Sequence, residues 1–108
     1  MVDCQHYTFR VIWSAEDQEF VGLCAEFPSL SYLDQDQIVA LKGVTGLVKD
    51  LVNTLESEQE QVPIPLSVRS YSGSLAIQIT PELHRSLVIA AAEQNVDLNQ
   101  LISDRLQS

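Results

Sequence analysis

The chain has few basic residues, few cysteines and no long hydrophobic run. Its 108 residues include six Lys or Arg against fifteen Asp or Glu, which gives a net charge of −9. A charge of this sign repels nucleic acid at long range and favours a basic protein partner. The apolar runs are far shorter than the roughly 20 residues that cross a bilayer, and residues 1–10 lack the apolar centre of a signal peptide. We therefore expect a cytoplasmic protein.

Patterns typical of catalytic or metal sites are also scarce. The four glycines form neither GxGxxG nor GxxxxGK, and neither His6 nor His84 has a Ser or Cys nucleophile nearby in sequence. Acids early in the chain are the one candidate for a metal-dependent nuclease, but most lie in a turn or before a helix, where acids are usually solvated or capping. These acids are Asp3, Glu16, Asp17, Glu19, Glu26, Asp34 and Asp36. We expect no enzymatic activity, no metal and no other cofactor.

The first part of the chain predicts an antiparallel hairpin with strands at about residues 7–14 and 19–26, and "LSYL" (30–33) offers a third strand. Phe9, Val11 and Trp13 share one face and Thr8, Arg10 and Ile12 the other, and we expect both faces to be at least partly covered. Trp13 is then either a core residue or an aromatic anchor for a partner.

The two cysteines are predicted to be free thiols. In this hairpin Cys24 lies opposite about Phe9, five residues along the chain from Cys4, which is too far for a disulfide within one chain. Two cysteines without clustered histidines also make no zinc site.

A change to helical periodicity predicts one amphipathic helix over residues 37–57, with Asp34 or Asp36 as its N-cap. Gly43 and Gly46 inside it either permit close packing on the sheet or are weak spots. The acidic and then proline-containing segment that follows ends the helix. The predicted organisation is an N-terminal domain over 1–62, a linker or edge strand over 63–72, and a tail over 73–108.

The tail predicts a strand and two helices. Residues 74–79 alternate like a strand, and Thr80 followed by Pro81 starts a helix that ends near Gln94. Asn95 suits the left-handed cap conformation, and Asp97 with Gln100 resembles a capping box for a second helix over 98–107. That helix is expected to bury the apolar residues Leu98, Leu101, Ile102 and Leu106.

A lone strand cannot satisfy its own backbone hydrogen bonds, so we expect it to pair with a second copy across a two-fold axis. Leu75, Ile77 and Ile79 would then pack in the dimer against the helices. The opposite face of the ribbon would enter the DNA major groove, and the start of each second helix would bind phosphate. The predicted DNA contacts are Ser74, Ala76, Gln78, Leu98 and Asn99. Two alternatives remain: the strand completes the first sheet, or residues 81–107 form a helix-turn-helix.

Two segments resemble a known family. "SGSLAIQITPELHRSLVIAAAEQNVDLNQLISDRL" (72–106) resembles the ribbon-helix-helix tail of HicB-type antitoxins. "YTFRVIWSAEDQEFVGLCAEFPSLSYL" (7–33), with the helix after it, resembles their N-terminal domain. The most specific positions of the tail are Ser72, Gly73, Leu75, Ile79, Pro81, Glu82, Leu83 and His84, together with "LNQLI" of 98–102.

The resemblance implies an α+β protein: a ββ(β)α domain like a partial RNase H fold, followed by a dimeric ribbon-helix-helix (βαα) tail. It implies the antitoxin of a type II toxin–antitoxin system, which binds a HicA-like RNA-cleaving toxin and represses its own operon as a homodimer or higher oligomer. Net charge −7 over residues 1–69 fits a basic toxin.

Relatives usually carry Lys or Arg at the positions of Ser74 and Gln78, and often Ser at that of Asp97. The absence of these bases leaves operator binding weak, toxin-dependent or lost. The alternative function is a stand-alone ribbon-helix-helix regulator without a toxin partner.

Overall fold

The computed structural model describes residues 2–108 and has an α+β architecture. Its strands are β1 (Phe9–Ser14), β2 (Glu19–Cys24) and β3 (Ser31–Asp34), and its helices are α1 (Gln37–Ser57), α2 (Pro81–Gln94) and α3 (Leu98–Gln107). The chain divides into two compact units, Met1–Tyr71 and Ser72–Ser108, called here the first and the second unit. None of the helices described is both long enough and apolar enough to span a membrane.

The first unit is built on an antiparallel sheet with the strand order β1-β2-β3. In β1 and β2, Phe9 pairs with Cys24 and Trp13 with Phe20, so the predicted hairpin is confirmed. The third strand is confirmed as well, with Asp34 of β3 opposite Phe20. Cys4 and Cys24 are both free thiols, as the hairpin register predicts.

Helix α1 packs on one face of this sheet and has the predicted bounds. Its N-cap is Asp36, whose Oδ1 accepts hydrogen bonds from the amides of Ile38 (2.8 Å) and Val39 (3.3 Å). The apolar residues that recur along its inner face are fully buried, because they point at the sheet. These residues are Ala40, Val44, Val48 and Val52.

Glycines allow α1 to lie close to the sheet. A Cβ atom on Gly22 of β2 would lie 2.5 Å from the carbonyl oxygen of Ala40, and one on Gly43 would overlap the ring of Tyr32. Gly46 has nothing within 4 Å of its Cβ position. Close packing therefore explains Gly43, whereas Gly46 is a weak spot in the helix.

Residues 63–72 form no strand. Of the two alternatives from the sequence, a linker or an edge strand, the edge strand is therefore wrong. The stretch contains a single 3₁₀ turn, Leu66–Val68, and is hydrogen-bonded to the start of the chain. Tyr7 Oη donates to the carbonyl of Pro63 (2.7 Å), and Ser67 Oγ donates to that of His6 (2.6 Å). Residues 63–71 therefore belong to the first unit, to which these hydrogen bonds connect them.

The Glu26 carboxylate connects the same segment to the sheet. It accepts hydrogen bonds from the amides of Leu66 (2.8 Å) and Thr8 (2.9 Å) and from Thr8 Oγ1 (3.1 Å). Partial burial acts to raise the pKa of Glu26, but these hydrogen bonds favour the carboxylate more strongly, so the pKa lies below its ordinary value. The ionised form of Glu26 thus stabilises the fold.

Replacing Glu26 with glutamine should destabilise the first unit at neutral pH by about 1–2 kcal/mol, because the charge-assisted hydrogen bonds are lost. With a lowered folded-state pKa, the carboxylate's contribution is present above the unfolded-state pKa and is lost as the pH falls through the folded-state pKa. Urea unfolding followed by the fluorescence of Trp13 should show a difference between Glu26→Gln and wild type that narrows in acid. This role would be contradicted if the difference in unfolding free energy did not depend on pH, or if the exposed control Glu60→Gln lost as much stability.

Candidate functional site

The helices of the second unit begin and end where the sequence predicts. Thr80 Oγ1 accepts from the amide of Leu83 (3.2 Å), and Pro81 occupies the first helical position of α2. Asn95 ends α2 with φ 56°, in the left-handed region. These caps fix a short connection between α2 and α3.

The start of α3 differs from the prediction in one detail. Asp97 caps the helix by accepting a hydrogen bond from the amide of Asn99 (3.1 Å). Gln100 does not return a hydrogen bond to the cap but donates to Asp104 (2.8 Å), so the expected capping box is wrong. One amide at the helix start is therefore already bound to a carboxylate and is not free for phosphate.

The second unit has a very small core of its own. Its buried residues are Ala91 and Leu101, while Leu98 and Ile102 are half-buried. Leu106 is 73% exposed, so the expectation that α3 buries it is wrong for the single chain. Large apolar side chains remain exposed along the whole unit, namely Leu75, Ile77, Ile79, Leu83, Val88, Ile89, Val96 and Leu106. So much exposed apolar surface on a unit of this size is typical of an interaction surface.

The predicted dimerisation segment is unpaired in the single chain. Residues 74–79 form neither strand nor helix, and the three-stranded sheet does not include them. Leu75, Ile77 and Ile79 are 80%, 60% and 39% exposed. The alternative in which this segment completes the first sheet is thus wrong, and pairing with a second copy stays a prediction.

The predicted DNA contacts differ in exposure. Ser74, Ala76, Gln78 and Asn99 are exposed, whereas Leu98 is half-buried. Residues 72–108 include two Lys or Arg residues, Arg85 and Arg105. A shallow depression of about 340 Å³ on α2 is lined by Pro81, His84, Arg85, Val88 and Ile89. The surface offers hydrogen-bonding groups but little charge for phosphate.

Four acids of the first unit accept local hydrogen bonds. Asp3 accepts from the amide of Gln5, Asp34 accepts from that of Asp36, and Asp36 caps α1. Asp17 accepts from Ser14 Oγ (3.0 Å) in the hairpin turn. Across the described residues no three His, Cys, Asp or Glu side chains are grouped so as to hold a metal ion. The absence of enzymatic activity remains a prediction.

Trp13 lies at the surface and not in the core. Its side chain is 50% exposed and packs edge-on against Phe20, with ring centroids 5.0 Å apart. Of the two interpretations left open by the sequence, burial in the core is therefore wrong.

Sequence reasoning missed one surface of the first unit. Helix α1 covers the face that contains Gly22, and among the described residues of this unit no other element packs on the opposite face. That face, called here the open face, carries Ile12, Val21, Leu23 and Leu33. The expectation that both faces of the hairpin are partly covered is therefore wrong. The signal was present in "VGL" (21–23), where both residues beside Gly22 are apolar although the unit has a single long helix.

A groove of about 400 Å³ adjoins the open face at the Cys24 end of β2. It is lined by Thr8, Arg10, Leu23, Cys24, Ala25 and Pro28. Burial raises the pKa of the Cys24 thiol, with a further contribution from the nearby Glu26 carboxylate. Cys24 therefore stays protonated at neutral pH and acts as a small buried apolar side chain.

Comparison with known proteins gives one match. Residues 55–106 match the model of the HicB family. The matched span runs from the last residues of α1 to near the end of α3 and so includes the predicted dimerisation and DNA-contact residues. No curated protein and no solved structure matches the chain. The match supports the HicB-type resemblance for this span, and residues 1–54 lie outside it.

Proposed function

We propose that this protein is the antitoxin of a type II toxin–antitoxin system. The first unit binds and neutralises a basic, HicA-like RNA-cleaving toxin, and the second unit pairs with a second copy and represses the operon by binding DNA. The observation that carries this proposal is the match of residues 55–106 to the HicB family. The RNase H-like character of the first unit and the ribbon-helix-helix character of the second are parts of the same proposal.

Homodimerisation is supported by the unpaired segment 74–79. In the single chain its backbone has no ladder partner and its alternate residues Leu75, Ile77 and Ile79 stand in water. An antiparallel two-stranded ribbon across a two-fold axis would pair the backbone and place these three side chains against the helices of both copies. The exposed apolar residues of α2 and α3 would supply the rest of a shared core.

Toxin binding is supported by the charge of the first unit. Residues 1–69 carry eleven acids and four bases, so a basic protein is attracted and nucleic acid is repelled. Such complementarity accelerates association and excludes acidic partners. The toxin's RNA-binding surface has to be basic for its own substrate, which makes it the matching surface.

Operator binding is expected to be weak when the protein is alone. The ribbon face would present Ser74, Ala76 and Gln78, and of these Gln78 can make a bidentate contact with adenine. Because phosphate contacts dominate affinity and the second unit has two bases, affinity should be low and should fall only gently with salt.

One observation favours the alternative function, a ribbon-helix-helix regulator without a toxin partner. The family match leaves out residues 1–54, which include the sheet and most of α1. A first unit that binds a molecule other than a toxin would be compatible with that match. The two functions are distinguished by whether this protein neutralises a toxin.

Co-expression provides that separation. A small basic protein encoded beside this gene should arrest growth when expressed alone, and this protein should restore growth when both are expressed from unrelated promoters. Because this protein cannot repress unrelated promoters, restored growth would result from binding to the toxin and not from repression of its gene. Continued arrest at equal or higher levels of this protein would exclude the antitoxin function and favour the stand-alone regulator.

Ile77→Asp should convert the dimer to a monomer, because it places a carboxylate in the apolar face of the ribbon. Size-exclusion chromatography with light scattering measures the mass. Gln78→Asp adds the same group at the next position, on the predicted outer face, and should leave the dimer intact. A dimeric Ile77→Asp variant, or equal disruption by both, would show that this face is not the interface.

Gln78→Ala should reduce the preference for the protein's own upstream DNA over random DNA by about tenfold, the value of one bidentate base contact. Band shifts at several salt concentrations measure both the preference and the salt slope. The slope should stay unchanged, because glutamine carries no charge. Unchanged preference in the variant would remove Gln78 from base recognition.

A further inference from the structure

We propose that the open face, formed by Ile12, Val21, Leu23 and Leu33, is the surface on which the first unit docks its basic protein partner. This inference rests on the proposed function and adds the location of the contact. The occupant of the open face is a protein with basic residues around an apolar centre.

The strand registers place these side chains together. Ile12 lies opposite Val21, and Val21 lies opposite Leu33, so one apolar row crosses all three strands. Gly22 faces α1, with its Cβ position 2.5 Å from the carbonyl oxygen of Ala40. Because side chains alternate along a strand, Val21 and Leu23 on either side of Gly22 point away from the helix. Leu23 extends the row toward the groove beside Arg10.

This apolar surface is unusual for the free side of a sheet. An antiparallel sheet with one covered face normally carries polar residues on the other. Here Ile12 is 44% and Leu33 is 40% exposed, and Val21 and Leu23 are half-buried between their neighbours. Ile12, Val21 and Leu33 are successive cross-strand neighbours, and Leu23 follows Val21 on the same side of β2, so the four residues are contiguous. A contiguous apolar patch of this kind is typical of an interaction surface.

Charge identifies the class of occupant. Residues 11–41, which contain most of the sheet and its turns, include six acids and neither Lys nor Arg. Glu19 lies on the same side of β2 as Val21, and Glu16 and Asp17 lie in the adjacent turn. A basic protein would find an apolar centre with an acidic rim, the arrangement typical of protein interfaces.

A second copy of this chain fits the open face less well. Two copies packed sheet to sheet would bring two acidic surfaces together, which costs free energy of association through like-charge repulsion. The one base on this face is Arg10, and it cannot balance the acids of the turn. The second unit, moreover, has its own unpaired segment for contact between copies.

The double variant Ile12→Thr/Leu33→Thr tests the apolar row. Threonine is β-branched and suits a strand, but it removes apolar area at both of these exposed positions. Calorimetric titration with the purified basic protein encoded beside this gene should show affinity at least about tenfold below wild type. The control Ile38→Thr changes an apolar residue that is 64% exposed at the start of α1, and its affinity should match wild type.

A charge pair gives a second measurement that does not depend on the apolar row. Glu19→Lys should slow association with the same basic protein, and the slowing should diminish as salt is added. Glu58→Lys makes the same charge change at the end of α1 and should have a much smaller effect. The urea midpoint followed by Trp13 fluorescence shows that each variant remains folded.

Different outcomes overturn different conclusions. Suppose that wild type binds the basic protein, that the double variant binds it with the same affinity, and that Glu19→Lys associates at the same rate. The open face is then not the docking surface, while the proposed function stands. If wild type does not bind it, the proposed function fails and the docking surface with it. If the double variant alters the mass of the free protein but not its affinity for the partner, the face joins two copies instead.

Discussion

The contact between α1 and the middle strand determines the shape of the first unit. Gly22 and Ala40 approach so closely that no side chain fits between strand and helix. Because of this, Val44, Val48 and Val52 reach the sheet and are fully buried. The same contact decides which face of the sheet is covered, and with a single long helix in the unit the opposite face stays open. The core and the open face therefore share one cause.

Hydrogen bonds from the start of the chain determine where the first unit ends. Tyr7 and Glu26 bind the backbone of residues 63–66, and Tyr71 donates to the carbonyl of Leu66 (2.8 Å). Between Tyr71 and Thr80, which caps α2, the described backbone hydrogen bond is only local, from the amide of Ser74 to Ser72 Oγ (3.1 Å). The segment 74–79, whose apolar side chains are exposed, thus lies along the chain between two well-defined structures. This position suits an element that acquires its structure by pairing with another chain.

Local signals in the sequence predicted the elements well. Asp36, Thr80 with Pro81, Asn95 and Asp97 mark helix ends through hydrogen bonds within a few residues, and the structure has helices with these bounds. The register of the hairpin, with Phe9 opposite Cys24, likewise follows from the position of the turn between its strands. Such signals need no knowledge of the rest of the fold, because every interaction involved is local.

Exposure was predicted less well, because it depends on what covers each face. Trp13 and Leu106 are apolar and were candidates for burial, yet both are exposed. Ile12 lies on a face that was expected to be partly covered but is open. How many helices are available to cover a sheet depends on the whole unit and not on the strand sequence. The apolar character of Val21 and Leu23 was visible, but its meaning required the position of α1. The candidate site is therefore the part of the molecule that periodicity alone could not locate.

The two parts of the proposed function oppose each other electrostatically. If the proposal holds, the acidic first unit would attract a basic toxin but repel the operator, and the second unit has only Arg85 and Arg105 to offset that repulsion. A bound basic toxin would neutralise negative charge on the first unit. Operator binding could be weak, toxin-dependent or lost, and of these three the charge argument favours toxin-dependent binding. Coupling between binding sites is reciprocal, so DNA would then also favour toxin binding. Repression would thus be strongest when toxin and antitoxin are both present, which ties transcription to the amount of complex.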